Sequence, residues 1–181
     1  MFFRTVSVAM LVTLSIANTT VRRSEVTALQ DAFNNITPTW HAIQVNYEAF
    51  SANVDIDHAT AVTDAVRTLG LQVQDALKAI PICQDHVMSN TDGKWACDMY
   101  SGGDADRQFW KNMIPLKDDF QTVNFTSTVC QVFQNLVAIS VPFDRKFLAA
   151  VPAKYKASIE KYYHTAVKEV GKVAETYCSE A

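Results

Sequence analysis

Cys83, Asp85, His86 and Cys97 fall together in the stretch 80–97, IPICQDHVMSNTDGKWAC, and are residue types that hold a transition metal or supply a nucleophile and its base. Their spacing argues against a metal. Zinc ligands usually come as tight pairs, whereas Cys97 lies far from Cys83-x2-His86, and in an oxidising compartment the two cysteines are expected to pair with each other. Asp55-Ile-Asp57-His58 is a second group of oxygen and nitrogen donors, but its place at a helix start makes capping the simpler reading. The four histidines, His41, His58, His86 and His164, show no H-E-x-x-H spacing, and no serine sits in a G-x-S-x-G elbow. Carboxylates are scattered over caps and solvated faces, so no acid/base pair can be nominated. The expectation is a non-enzyme with no catalytic residue, no metal site and no cofactor.

The compartment follows from the first residues. MFFRTVSVAMLVTLSIA places Arg4 ahead of an apolar run and ends in a small-x-small pattern at Ser15 and Ala17, which reads as a signal peptide over 1–17. The run is shorter than the roughly 20 apolar residues that span a bilayer. No GPI-type tail or retention signal is seen at the other end. The expectation is a secreted, extracellular or cell-wall protein with no membrane span, in which residues 18–181 form one domain. A formal net charge of −3 without a polybasic cluster argues against nucleic acid as a partner. Asn18, Asn35 and Asn124 each open an N-glycosylation triplet.

The elements that must position these residues are helices. Val26, Leu29, Phe33, Ile36, Trp40, Ile43, Tyr47 and Phe50 repeat at alternating steps of three and four, the strongest pattern in the chain. Ser24 is a candidate cap, and Pro38 predicts a kink or break near 35–37. A second helix is expected from Asp55 or Asp57 to Ile80, with Val62, Val66, Leu69 and Val73 on its apolar side. Residues 81–103, with Pro81, Asp92-Gly93 and Gly102-Gly103, lack a period and read as a loop. A third helix opens at Asp104 or Asp106 and carries Phe109, Met113, Leu116 and Phe120, with a kink at Pro115. A fourth starts near 126–128 and carries Val129, Phe133, Leu136 and, beyond a bend or split at Pro142, Phe147. A fifth follows Pro152 with Tyr155, Ile159, Tyr162, Val170 and Tyr177, its Lys and Glu residues making a solvated face. The fold class is an all-α, up-and-down bundle of four to five amphipathic helices.

An even count of cysteines in an exported chain predicts two disulfides. If the last two helices fold back about 152–154, Cys130 and Cys178 stand at equal distances from Lys154 and meet at the open end of the hairpin. That pairs Cys83 with Cys97, which would pin the 81–103 loop. Chain entropy assigns about 3 kcal/mol to the short loop and about 4 kcal/mol to the long one.

Such a bundle either packs its rings solid, the ordinary case, or leaves an elongated apolar cavity between helices. The residues expected to line a cavity are Phe33, Trp40, Ile43, Tyr47, Phe50, Val66, Leu69, Phe109, Met113, Phe120, Phe133, Leu136, Phe147, Ile159 and Tyr162.

The early long helix, FWKNMIPLKDDF at 109–120, and VFQNLVAISVPFDRKFLAAVPAKYKASIEKYYHTAVKEVGKVAETY at 132–177 resemble the fungal hydrophobic surface-binding protein A family, also called cell wall galactomannoproteins or Mp1p-like proteins. The four cysteines and the 81–103 insert depart from that family's pattern. The resemblance implies a secreted or wall-associated helical bundle without catalysis. It would bind fatty acid or other lipid in an apolar cavity, or adsorb to hydrophobic surfaces with a secreted hydrolase as partner. A competing reading is a protein-binding module, an enzyme inhibitor or effector whose 83–100 loop presents His86, Met88, Trp95, Met99 and Tyr100. Plant invertase and pectin methylesterase inhibitors are also four-cysteine helical bundles, but their short cysteine loop lies near the mature N-terminus. A third reading is a structural protein with neither cavity nor partner. A cavity on the order of several hundred Å³ would favour the lipid reading, and an exposed Trp95 the docking one.

Overall fold

Apolar residues at helical spacing carry this chain into one helix after another: α1 (Phe3–Ala52), α2 (Ile56–Ala79), α3 (Asn90–Ser101), α4 (Asp104–Met113), α5 (Lys117–Thr122), α6 (Thr126–Ala150) and α7 (Ala153–Cys178). The computed structural model describes the backbone of residues 3–80, 88–101 and 104–179, and the side chains of residues 26–80, 88–99 and 109–179. Among the described residues there is no strand, and no helix is long and apolar enough to cross a membrane.

The α1 stripe resolves into two columns. Leu29, Ile36, Ile43 and Phe50, spaced by seven, are buried, while Phe33, Trp40 and Tyr47, also spaced by seven, are half-buried along one flank. Of the alternatives expected at the prolines, the break at Pro38 and the split at Pro142 do not occur: each lies inside a continuous helix. A proline inside a helix costs about 3 kcal/mol, comparable with what burial of one or two large apolar side chains contributes, and the stripes here continue on both sides. Both prolines are exposed, and the carbonyls they free, on Asn34 and Ala138, belong to exposed residues within reach of water. Pro115 behaves differently: a 3₁₀ turn at Ile114–Leu116 separates α4 from α5. Ser24, expected as a cap, is an interior residue of α1, which also runs without interruption through the expected cleavage point at Ala17.

Two helix starts carry side-chain caps. Asp55 accepts the His58 N–H at 2.8 Å and contacts the His58 ring, and this backbone bond, followed by the ring, holds the Asp55 carboxyl below the usual range. Ser89 Oγ accepts the Asp92 N–H at 3.2 Å, a side-chain cap that starts α3, and donates to Asp92 Oδ2 at 2.6 Å. The expected 81–103 loop is thereby corrected over 90–101. Asp92-Gly93, which reads as a turn, lies within α3 and lets it approach the start of α7. A Cβ on Gly93 would sit 2.7 Å from Pro152 Cδ and 2.8 Å from Tyr155 Cδ2.

The long helices pack in sequence, α1 on α2, α2 on α6 and α6 on α7, while α3 and α4 lie against α7. Trp40 and Tyr47 of α1 pack edge-on to Phe109, and Tyr47 OH donates to the Asn112 carbonyl at 3.5 Å, so α4 closes the ring back onto α1. Cys130 and Cys178 form a disulfide between α6 and α7, the pairing expected from the hairpin. The second expected disulfide is not formed: Cys97 is a free, half-buried thiol on α3, packed against an apolar cluster, and Cys83 lies outside the described residues.

Cys130 and Cys178 are 48 residues apart. Reducing that bond, or replacing both cysteines by Ala, should lower the unfolding free energy by about 4 kcal/mol, read from urea midpoints with and without reductant. Gly93→Ala should destabilise the protein by about 1–3 kcal/mol, because the added methyl meets two rigid rings. Gly171→Ala, where a Cβ meets nothing within 4 Å, should instead stabilise by about 0.5–1 kcal/mol in the same assay.

Candidate functional site

The buried apolar residues separate into two clusters along the bundle. One gathers around Phe50, Phe120, Phe133 and Tyr177 at the disulfide end, where Phe50 stacks on Phe120 at 4.2 Å and Tyr177 OH donates to the Met113 carbonyl at 2.7 Å. The other gathers around Leu29, Ile80, Met88, Phe147 and Ile159. Between them lies a cleft of about 420 Å³. Ile36, Leu69, Trp110, Leu136 and Val170 of its wall belong to the first cluster and Phe143 to the second, so the cleft is the gap where the two fail to merge.

Rings hold the gap open. Phe33 packs edge-on at 5.8 Å to each of Trp95, Phe143 and Phe147, and Trp40 packs at 5.0 Å to Trp110. Short side chains share the wall with these rings: Thr37 between Phe33 and Trp40 on α1, Ser140 beside Phe143 on α6, and Ala166 on α7. A small residue next to large rings leaves space that the rings do not fill. Val73 of α2, Met99 of α3, and Tyr162, Tyr163 and Val167 of α7 complete the apolar and aromatic wall.

Of the positions expected to line a cavity, the structure brings together Phe33, Trp40, Leu69, Leu136 and Tyr162. Ile43, Phe50, Val66, Met113, Phe120 and Phe133 are instead fully or nearly fully buried in the first cluster, and Phe147 and Ile159 in the second. Phe109 is buried and Tyr47 half-buried against the first cluster. They lie toward the ends of the bundle, where the rings meet one another. Asp144 is the wall residue with least signal in the sequence. In Phe-Asp-Arg-Lys it reads as surface charge, yet it is 4% exposed. Its position is one turn beyond Ser140 on the inner side of α6.

Tyr163 faces Asp144 from α7. Burial, then the Asp144 charge and the hydrogen bond that the Tyr163 hydroxyl donates to it, push the Tyr163 phenol up to about 12. Burial also pushes Tyr177 far up. The histidines do not converge on the cleft: His41 and His164 are exposed, His58 contacts the Asp55 cap of α2, and His86 lies outside the described residues with Asp85. No group of three His, Cys, Asp or Glu that could hold a metal occurs among the described residues.

No family model matches the sequence, and no curated protein does. Solved structures do share the fold. Ligand binding domain 1 of the Penicillium marneffei MP1 protein, complexed with arachidonic acids, superposes with a TM-score of 0.71 at 13% identity over 84% of this chain and 98% of that one. Ligand binding domain 2 of the same protein, in complex with arachidonic acids, gives a TM-score of 0.64 at 11% identity over 82% of this chain and 93% of that one. The bundle is thus Mp1p-like in fold.

The raised phenols set a sign for alkaline stability. A tyrosine whose folded pKa lies above its unfolded value near 10 contributes stability that is full below about pH 10 and lost as pH rises through its folded pKa. Unfolding midpoints should therefore fall between pH 10 and about 12, and Tyr163→Phe should flatten part of that fall. In a phenolate absorbance titration, Asp144→Asn should bring Tyr163 down only part of the way, because burial is the larger cause.

Proposed function

We propose that this protein is a secreted, non-catalytic lipid-binding bundle that takes the hydrocarbon chain of a single-chain lipid into the cleft between its two core clusters. The observation that carries the reading is the cleft itself. Its volume of about 420 Å³ falls within the range of roughly 300–1,000 Å³ typical of small-molecule sites, and its wall is mainly apolar and aromatic. Among the described residues, the polar groups of that wall are Thr37, Ser140, Asp144, Tyr162 and Tyr163. The fold shared with domains solved in complex with arachidonic acids supports the same reading.

Three anchors of the docking alternative turn inward, while His86 and the Tyr100 side chain lie outside the described residues. Met88 is buried, Met99 lines the cleft, and Trp95 packs edge-on against Phe33 within the second cluster. Export by the 1–17 segment, with a mature chain starting at Asn18, belongs to the same proposal. So does glycan attachment at Asn18, Asn35 or Asn124, of which Asn124 is exposed in the turn between α5 and α6.

Native mass spectrometry of the mature protein after incubation with a mixture of eighteen-carbon acid, alcohol and monoacylglycerol should show one retained lipid. A spectrum with apo protein alone would defeat the reading. Ala166→Trp, which places an indole in the cleft, should weaken the retained lipid by about tenfold or more while leaving helicity unchanged. Because Trp40 and Trp110 line the cleft, lipid binding should also shift the tryptophan emission of the unsubstituted chain.

A further inference from the structure

A second hollow lies at the disulfide end of the bundle, away from the cleft. The start of α2 contributes Asp55, Ile56 and Asp57, the end of α5 and its following turn contribute Thr122, Val123 and Asn124, and between them runs an open groove of about 480 Å³. Ile56 is a large apolar residue in the first turn of α2, yet it is 59% exposed. Asn124 is exposed as well, with a φ of 59°, the left-handed conformation that asparagine accepts more readily than most residues. Its N–H donates to the Gln121 carbonyl at 3.0 Å and the Phe125 N–H to the Phe120 carbonyl at 2.8 Å, so the turn that presents Asn124 is fixed by its own backbone. Asn124-Phe-Thr126 is also one of the N-glycosylation triplets. Asn35, by contrast, stands inside the continuous helix α1, and its carbonyl accepts from Gln72 Nε2 of the neighbouring α2 at 3.1 Å.

We propose that Asn124 is N-glycosylated and that the first sugar of its glycan, an N-acetylhexosamine, lies in this groove against Ile56. A pyranose presents a face of C–H groups and a rim of hydroxyls. The face suits Ile56 and Val123, and the rim donates to the carboxylates of Asp55 and Asp57, each of which has acceptor sites for more than one donor. Asp55 keeps its bond from the His58 N–H in this arrangement. Tethering at Asn124 holds the sugar beside the groove at high effective concentration, so individually weak contacts suffice. Attachment joins Asn124 Nδ2 to the anomeric carbon of an oligosaccharide supplied on a polyprenyl pyrophosphate: the C–N bond forms as the anomeric C–O bond to pyrophosphate breaks, and the amide loses one proton. The inference rests on the proposed export and is independent of the lipid site.

The test expresses the full chain in a yeast that N-glycosylates exported proteins and trims the glycan to one N-acetylglucosamine with an endoglycosidase. Peptide mapping should find that sugar on Asn124. The thermal midpoint of the trimmed protein should lie about 2–4 °C above that of Thr126→Val, which loses the triplet and keeps Asn124 in its turn. Ile56→Ser should remove that increment, whereas Val45→Ser, at an apolar α1 residue that is 48% exposed and outside the groove, should keep it. If Thr126→Val does not fold, enzymatic removal of the whole glycan supplies the bare reference. An exported protein with Asn124 bare overturns the inference, as does an increment that survives Ile56→Ser, and each leaves the lipid site standing. A bare chain that dimerises until Ile56→Ser is introduced assigns the groove to a second copy and overturns it too. A chain that is not exported overturns the inference together with the proposed export.

Discussion

The structure depends on two packed ends with a gap between them, whose wall combines large rings with short side chains. At the disulfide end, Phe50, Phe120 and Tyr177 meet ring to ring, and the helices close. At the other end Phe143 stacks with Phe147 at 5.5 Å, and both contact Phe33. Between them Trp40 and Trp110 are wedged at 5.0 Å, while Thr37, Ser140 and Ala166 are too small to fill the remaining distance. The helices are rigid rods fixed at both ends, so they cannot bow inward to close the gap without forfeiting contacts in two clusters at once.

The ends therefore have to be secure. Tyr177 contributes in two ways, as a fully buried ring and as the donor to the Met113 carbonyl beside the 3₁₀ turn at Pro115. At that turn the Lys117 N–H goes to the Ile114 carbonyl, and the phenol supplies a donor to the Met113 carbonyl. The adjoining Cys130–Cys178 bond restrains the same end covalently. At the far end α3 is held close by the absence of a side chain at Gly93, and the Met88 N–H donates to the Ala150 carbonyl at 2.7 Å, which ties the segment before α3 to the end of α6.

Much of this was legible in the residues, for identifiable reasons. The α1 stripe, the Asp55 cap and the Cys130–Cys178 pairing are consequences of local spacing, which a sequence displays directly. Where reading failed, the deciding term was either tertiary or hidden by a stronger local signal. Pro38 and Pro142 look like breaks because their cost is local, whereas the burial that outweighs it is spread along the helix on either side. Asp92-Gly93 suggested a turn, and only the closeness of Pro152 and Tyr155 explains a glycine within a helix there. The cleft was the least legible feature. Leu136 and Phe133 belong to the same stripe, and which of them faces space and which faces another ring depends on what stands opposite.

The same reasoning shows how the fold can be shared at 11–13% identity. A four-rod frame needs apolar residues at helical spacing and secure ends, and many side chains satisfy each position to within about 1.5 kcal/mol when volume is kept. The wall of the gap is released from even that requirement, because its residues do not fill one another's space. A polar group such as Asp144 is tolerated there because it accepts a hydrogen bond from the Tyr163 hydroxyl and because an open, partly polar cleft admits water, which an enclosed apolar cavity does not. The gap is thus the part of the bundle where residues can vary with least cost to folding and most consequence for what is bound.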